Sequence, residues 1–249
     1  MSKIKTRTKI FYILWMASIL STVLVLPYVL TVEGELIEAA GISIPIIVLI
    51  AIIQGGVIFG ISSYVGLILA EKTGFKLPLL KAWIEHKEIH YKTTLFKSII
   101  FGLITGISIF IIDKFVFPLS IISSINVELW KGFLGSFYGG IAEEILMRLF
   151  LVSLFVFILT KIFKKNEKNS VIVWVSIIIV SIIFGVGHLP ITSAVVPITP
   201  MVVLRAIVLN GIGGIVFGWL YWKKGLEFAI IAHFSADIVL QIIVPVFLT

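Results

Sequence analysis

The chain has 249 residues, 59% of them hydrophobic and 13% charged, with a mean hydropathy of +1.18. Soluble domains carry nearly twice that charged fraction, about 25%, so a water-soluble globule is excluded. The expectation is an all-α, polytopic transmembrane helical bundle forming a single membrane domain over residues 1–249. The net charge of +7 sits in loops between apolar runs, which is a topology pattern and not a nucleic-acid footprint. No cysteine is present, so disulfides, zinc–thiolate sites and a thiol nucleophile are excluded.

Lys3, Lys5, Arg7 and Lys9 precede an apolar run from Ile10 to Leu30. The run is long for a signal peptide and no small-x-small cleavage site follows it closely, so it reads as a first membrane helix with a cytoplasmic N-terminus. The next loop carries Glu33, Glu35 and Glu38 and no basic residue, which suits the outer side. A second span covers about 44–70, with Gly56 and Gly60 spaced for close helix contact. The loop from Glu71 to Lys97 holds six lysines and returns the chain to the cytoplasm. Its centre, with Leu79, Leu80, Trp83 and Ile84 among charges, predicts a short helix lying on the membrane surface. A third span covers about 98–117.

The fourth span, about 133–159, contains Glu143, Glu144 and Arg148 and ends at Lys161, Lys164, Lys165 and Lys168. A fifth runs from Val171 to His188, where Pro190 is expected to stop it. A sixth covers 201–222 and meets Lys223 and Lys224; a seventh covers 226–248. Basic loops alternate strictly, which predicts seven spans in a multi-pass protein of the cell membrane with the N-terminus cytoplasmic.

Charges inside a span cost roughly 2.5–3.5 kcal/mol each on insertion scales, so they are functional candidates. Glu144 and Arg148 are i,i+4 with the acid first, the favourable order for an ion pair. Glu143 lies about 100° further round an α-helix, which leaves it available for chemistry. His233 and Asp237 in the seventh span are also i,i+4. His188 closes the fifth span beside the small residues Gly185 and Gly187. His86 and His90 share i,i+4 spacing but sit in the charged loop and read as solvated. Gln54, Arg205 and Asn210 read as packing or snorkelling side chains.

Glutamate and histidine together can activate a water, with Glu143 as general base. Histidine or a protonated carboxyl can hold the oxyanion formed when water attacks a carbonyl. The same groups can equally ligate a divalent metal, since imidazole and carboxylate are the sulfur-free zinc ligands. Spacing does not separate these mechanisms, so the cofactor expectation is either none or one divalent ion such as zinc, held by Glu143, His188, His233 and Asp237.

Three motifs stand in order: Glu143-Glu144-x-x-x-Arg148, Phe184-x-x-x-His188 and His233-x-x-x-Asp237. Together they resemble the CAAX proteases and bacteriocin-processing enzymes, the CPBP or Abi intramembrane proteases related to the type II CAAX prenyl endopeptidase. The resemblance covers about residues 130–240. It implies that Glu143 and His188 activate the attacking water, that His233 and Asp237 stabilise the oxyanion, and that Glu144 and Arg148 support the site. The family is described both as metalloproteases and as metal-free glutamate proteases. Three departures stand out. Asp237 occupies a position where the family commonly has asparagine, and Met147 one where it often has phenylalanine. The seven spans also leave any eighth family helix unmatched.

The resemblance implies an intramembrane endopeptidase. A prenylated C-terminus is a eukaryotic substrate, while the Lys- and Ile-rich composition suggests a bacterial or archaeal source, so membrane-associated or secreted peptides are the expected partners, besides the lipid bilayer. Two rivals remain. A proton- or cation-coupled transporter would use the same residues, although no paired broken helices appear in matching halves. An inactive scaffold or immunity protein is the other, although every family position except Asp237 holds the family residue.

One geometric conflict follows from counting ~1.5 Å per residue from the basic flanks. Glu143 and His188 fall about 27–30 Å from Lys161 and Lys168, whereas His233 falls about 15 Å from Lys223 and Lys224. The groups meet only if the fourth and fifth helices extend about two turns into the cytoplasm or the seventh is displaced.

Overall fold

A chain segment in lipid must satisfy its backbone amides within itself, so each apolar run folds as a helix. The structure is a computed structural model that describes residues 3–88, 91–117, 127–166 and 169–248; His90 and Lys168 lie outside them. Seven helices among the described residues are long and apolar enough to span a membrane: Ile4–Val32, Ile44–Thr73, Lys92–Val116, Leu129–Ile162, Ser170–Ser193, Pro200–Lys223 and Leu226–Phe247. These match the seven expected spans, with longer ends. Two short helices, Gly34–Ala39 and Pro78–Ile84, lie in the connections.

Local chemistry sets several boundaries. The Asn169 side chain accepts from the amides of Val171 and Ile172, and Thr199 accepts from Val202, so both following helices start on side-chain caps. Pro190 does not end the fifth span. The α-helix closes at Gly187, and Pro190 falls in the first turn of a further short helix, Leu189–Ser193, where a missing N–H costs nothing. Between the sixth and seventh spans the chain turns at Gly225, whose φ of 127° favours glycine.

Lipid and protein share the apolar side chains. Ile46, Leu49, Ile53, Val57 and Ile61 of the second span are exposed and form a lipid-facing surface. Inside, small residues let backbones approach. Gly102 and Gly106 of the third span sit against the Ala232 and Ala236 carbonyls of the seventh. Gly185 meets the sixth span at Ile207, and Gly214 and Gly218 of the sixth meet Ser181 and Ile177 of the fifth. Trp15 donates its indole N–H to the Gly56 carbonyl at 2.7 Å, joining the first two spans where close contact was expected.

Basic residues gather at one end of the bundle. Lys72 and Lys161 both lie over the Phe157 ring, and Lys97, Lys223 and Lys224 rim one groove. At this end the expected surface helix has a packing role as well. Trp83 is exposed, but Ile84 is buried and the Leu80 amide donates to the Glu227 carboxylate at 2.9 Å. The Leu226 amide donates to the Lys76 carbonyl at 3.1 Å.

That cover resolves the depth conflict. The seventh span begins with Leu226, Phe228 and Ala229 buried beneath residues 76–84, so its start is recessed within protein. The fourth, at 34 residues, is about 50 Å long at ~1.5 Å per residue, far more than the ~30 Å hydrocarbon core. The recessed start of the seventh span matches the alternative of a displaced seventh helix.

Arg205 holds helices together and does not snorkel: its guanidinium binds the Asp113 carboxylate of the third span through two bonds of 2.6 and 2.7 Å, with both residues buried. Planar two-point matching of this kind is what arginine offers and lysine does not.

Candidate active site

The fourth span changes winding where the carboxylates sit. Leu129–Phe137 is α-helical, Tyr138–Glu143 and Ile145–Val152 take the wider π form, and Ser153–Ile162 returns to α. A π turn closes its ring over five residues instead of four, and such widened turns recur at functional sites. Gly139 and Gly140 lie in the first π segment. A Cβ at Gly139 would strike the Asp237 carboxylate, and one at Gly140 would meet Phe234. The missing side chains let the seventh span press against the acids.

Glu144 and Arg148 are fully buried. One Glu144 oxygen, Oε1, lies 3.2 Å from Arg148 Nη2 and 2.8 Å from His233 Nδ1. The guanidinium also lies 5.1 Å from the Phe184 ring centre and 5.7 Å from that of Phe217, a cation–π environment that compensates for lost water. Phe217 stacks on the His233 ring at 4.6 Å between centres. His233 is thus clamped by a carboxylate at one edge and an aromatic face.

Glu143 faces the other way. Its Oε1 lies 4.0 Å from His188 Nε2 and its Oε2 3.8 Å from His233 Nε2. Asp237 Oδ1 lies 3.7 Å from the same His233 nitrogen. The side chains of Glu143, Asp237 and His188 keep 20%, 19% and 32% of their surface accessible, whereas Glu144 and Arg148 keep almost none. Burial therefore divides the two glutamates as the helix spacing expected.

Hydrogen-bond chemistry fixes both ring orientations. His188 Nδ1 lies 2.8 Å from the Phe184 carbonyl, which only accepts, so Nδ1 carries a proton. His233 Nδ1 faces a carboxylate held by arginine and donates likewise. In each neutral ring the Nε2 lone pair then points at Glu143. Two imidazole lone pairs and two carboxylates converge at separations of 3.7–4.0 Å, too long for direct hydrogen bonds and short enough to share one water or ion.

As a metal centre the donor chemistry fits, with two imidazole nitrogens and two carboxylates. The spacing is wider: ligands around zinc at about 2.0–2.1 Å sit roughly 3.3 Å apart, and among the described residues no group of three or more is gathered closely enough to hold an ion as it stands.

All six expected residues, Glu143, Glu144, Arg148, His188, His233 and Asp237, are brought into one constellation. His86 stands apart beside Lys9, Tyr12 and Trp83 at the basic end. The sequence reading missed Phe217 and the Phe184 carbonyl as supports, and Asp113 altogether. An acid inside an expected span was the available signal for Asp113; Phe217 offered none within an apolar run.

No curated protein and no solved structure matches the chain. Residues 125–239 match the family model described as Rce1-like, type II CAAX prenyl endopeptidase. That stretch contains all six residues of the constellation, and over it the chain is similar to the Rce1-like type II CAAX prenyl endopeptidases.

Proposed function

We propose that the protein is an intramembrane endopeptidase that hydrolyses a peptide bond with water activated by Glu143 and His188. Similarity to a CAAX-type protease family over residues 125–239 supports hydrolase activity, and seven membrane-capable helices support a multi-pass membrane location. The observation that carries the reading is the convergence of Glu143, His188, His233 and Asp237 from three helices in one partly exposed cluster.

The water lies between Glu143 and His188. His188, anchored at Nδ1, accepts one water hydrogen at Nε2 and orients the molecule, while Glu143 removes the other proton. The oxygen attacks the carbonyl carbon, and the carbonyl oxygen becomes an oxyanion. His233, as imidazolium, gives Nδ1–H to Glu144 and points Nε2–H into the pocket; protonated Asp237 supplies a second donor. Glu143 returns its proton to the amide nitrogen, the C–N bond breaks, and a carboxyl end and an amine end result. Glu144 and Arg148 set the His233 orientation. If a divalent cation is used, Glu143, His188, His233 and Asp237 would hold it, and it would supply Lewis-acid polarisation of the carbonyl.

The substrate class is a membrane-associated or secreted peptide. The test is purified protein in lipid nanodiscs with a peptide library, cleavage being read by mass spectrometry. Wild type is expected to cut and Glu143→Gln to be inert; cleavage by the variant at the wild-type rate would overturn the reading.

A further inference from the structure

Three lysines at the basic end differ in their surroundings from the other cations there. Arg7 and Lys87 reach the carboxylates of Glu71 and Glu85, and Lys72 and Lys161 lie over the Phe157 ring. Among the described residues no carboxylate pairs with Lys97, Lys223 or Lys224. Lys223 lies 3.4 Å from the Trp222 ring centre, a contact that leaves its charge uncompensated. All three rim a single groove of about 650 Å³ between the third and sixth spans.

The two helices run in opposite directions here. The third begins at Lys92 and the sixth ends at Lys223, so Lys97 near one start meets Lys223 and Lys224 at the other's end. Deeper in the groove the walls are Ile100, Phe101 and Ile104 on one side and Trp219 and Leu220 on the other. Ile104 stands about 10 Å further along its helix than Lys97, at ~1.5 Å per residue. Phe101 and Trp219 meet edge to face at 5.4 Å, and Ile100, Phe101 and Ile104 are exposed. The groove is thus charged at one end and apolar along its length. None of Glu143, His188, His233 and Asp237 lines it.

That polarity selects the occupant. A free phosphate would use the lysines and leave the apolar walls bare. An apolar helix would cover the walls and bury three unpaired charges, which is costly. An anionic phospholipid matches both parts in the orientation that a leaflet already gives it. Flexible ammonium groups serve a phosphate as point charges. By the positive-inside rule basic connections face the cytoplasmic leaflet, whose anionic lipids are drawn to basic grooves between membrane helices.

We infer that the groove between the third and sixth spans is a binding site for an anionic phospholipid. Lys97, Lys223 and Lys224 hold the headgroup phosphate, and an acyl chain lies along Phe101, Ile104 and Trp219. The inference goes beyond the endopeptidase reading and does not rest on it.

The test is native mass spectrometry of the purified full-length protein in uncharged detergent. It is titrated with dioleoyl phosphatidylglycerol, with dioleoyl phosphatidylcholine and with inorganic phosphate. A one-to-one adduct with phosphatidylglycerol is expected, at concentrations at least about tenfold below those phosphatidylcholine needs. Lys97→Gln/Lys223→Gln/Lys224→Gln is expected to lose that preference. Lys161→Gln/Lys164→Gln/Lys165→Gln, which removes the same charge at the same end outside the groove, is expected to keep it. Should the first variant fail to accumulate, Ile104→Trp decides, since it fills the wall at an exposed position without changing charge; it is expected to weaken the adduct. Equal binding of the two lipids, or equal loss in both lysine variants, overturns the inference. So does an Ile104→Trp protein that binds phosphatidylglycerol as wild type does. Inorganic phosphate binding as well as the lipid overturns it in favour of a soluble anion, and a dimer lost in the groove variants overturns it in favour of a second copy.

Discussion

Glu143 and Glu144 are neighbours with different surroundings, one partly exposed beside His188 and the other buried against Arg148. Glu143→Gln keeps volume and removes a base, so cleavage is expected to fall by about 10²–10⁴-fold with unchanged yield and unfolding in detergent. Glu144→Gln removes the charge that Arg148 and His233 share, and stranding a buried ion typically costs about 3–5 kcal/mol; unfolding and membrane yield are expected to report it. The division was legible in the spacing of Glu144 and Arg148. The second partner of Glu144, His233, was not, because it lies 89 residues away and one sequence carries no information about such pairs. Asp237 bears on the metal question. With oxyanion stabilisation by a neutral donor, Asp237→Asn is expected to keep or raise activity, asparagine being a donor without titration. Elemental analysis of purified wild type and variant checks it: stoichiometric zinc lost in the variant together with activity would favour ligation instead.

Helices, at the next scale, place these residues through their irregularities. The existence and order of the spans could be read because lipid-facing helices must be apolar along a length of about 20 residues. The two π segments of the fourth span could not, since a helix apolar on nearly every face shows no period from which a change of winding is visible. Counting at the α-helical rise produced the depth conflict for the same reason, and the recessed start of the seventh span depends on a short helix whose packing partner was invisible. Gly139→Ala tests the consequence. Its methyl would collide with the Asp237 carboxylate, so peptide cleavage is expected to drop while unfolding changes little, the displaced group being a side chain in a partly exposed cluster.

Across the whole molecule, the Asp113–Arg205 pair ties the third span to the sixth. Replacing one partner, as in Arg205→Met, leaves a buried charge alone and is expected to cost about 3–5 kcal/mol, whereas the double variant Asp113→Leu/Arg205→Met recovers much of the loss. A double-mutant cycle on unfolding in detergent measures it. If the single and double variants unfold alike, the pair is not coupled.

Both histidines spend their Nδ1 proton on a fixed protein acceptor, so on the proposed mechanism His233 Nε2 and Asp237 are the donors at the site, facing the His188 lone pair and the Glu143 carboxylate. A neutral amide can settle there by way of the water it reacts with. Hydrolysis turns that amide into a carboxylate lying beside Glu143 once the proton has gone to the departing amine, and like charges at such range repel strongly. On the proposed reaction, the Glu143 carboxylate that takes the water proton would also repel the acid product and favour its release. The N-terminal fragment of a cut peptide is accordingly expected to bind Glu143→Gln more tightly than wild type, as titration of a fluorescently labelled fragment would show.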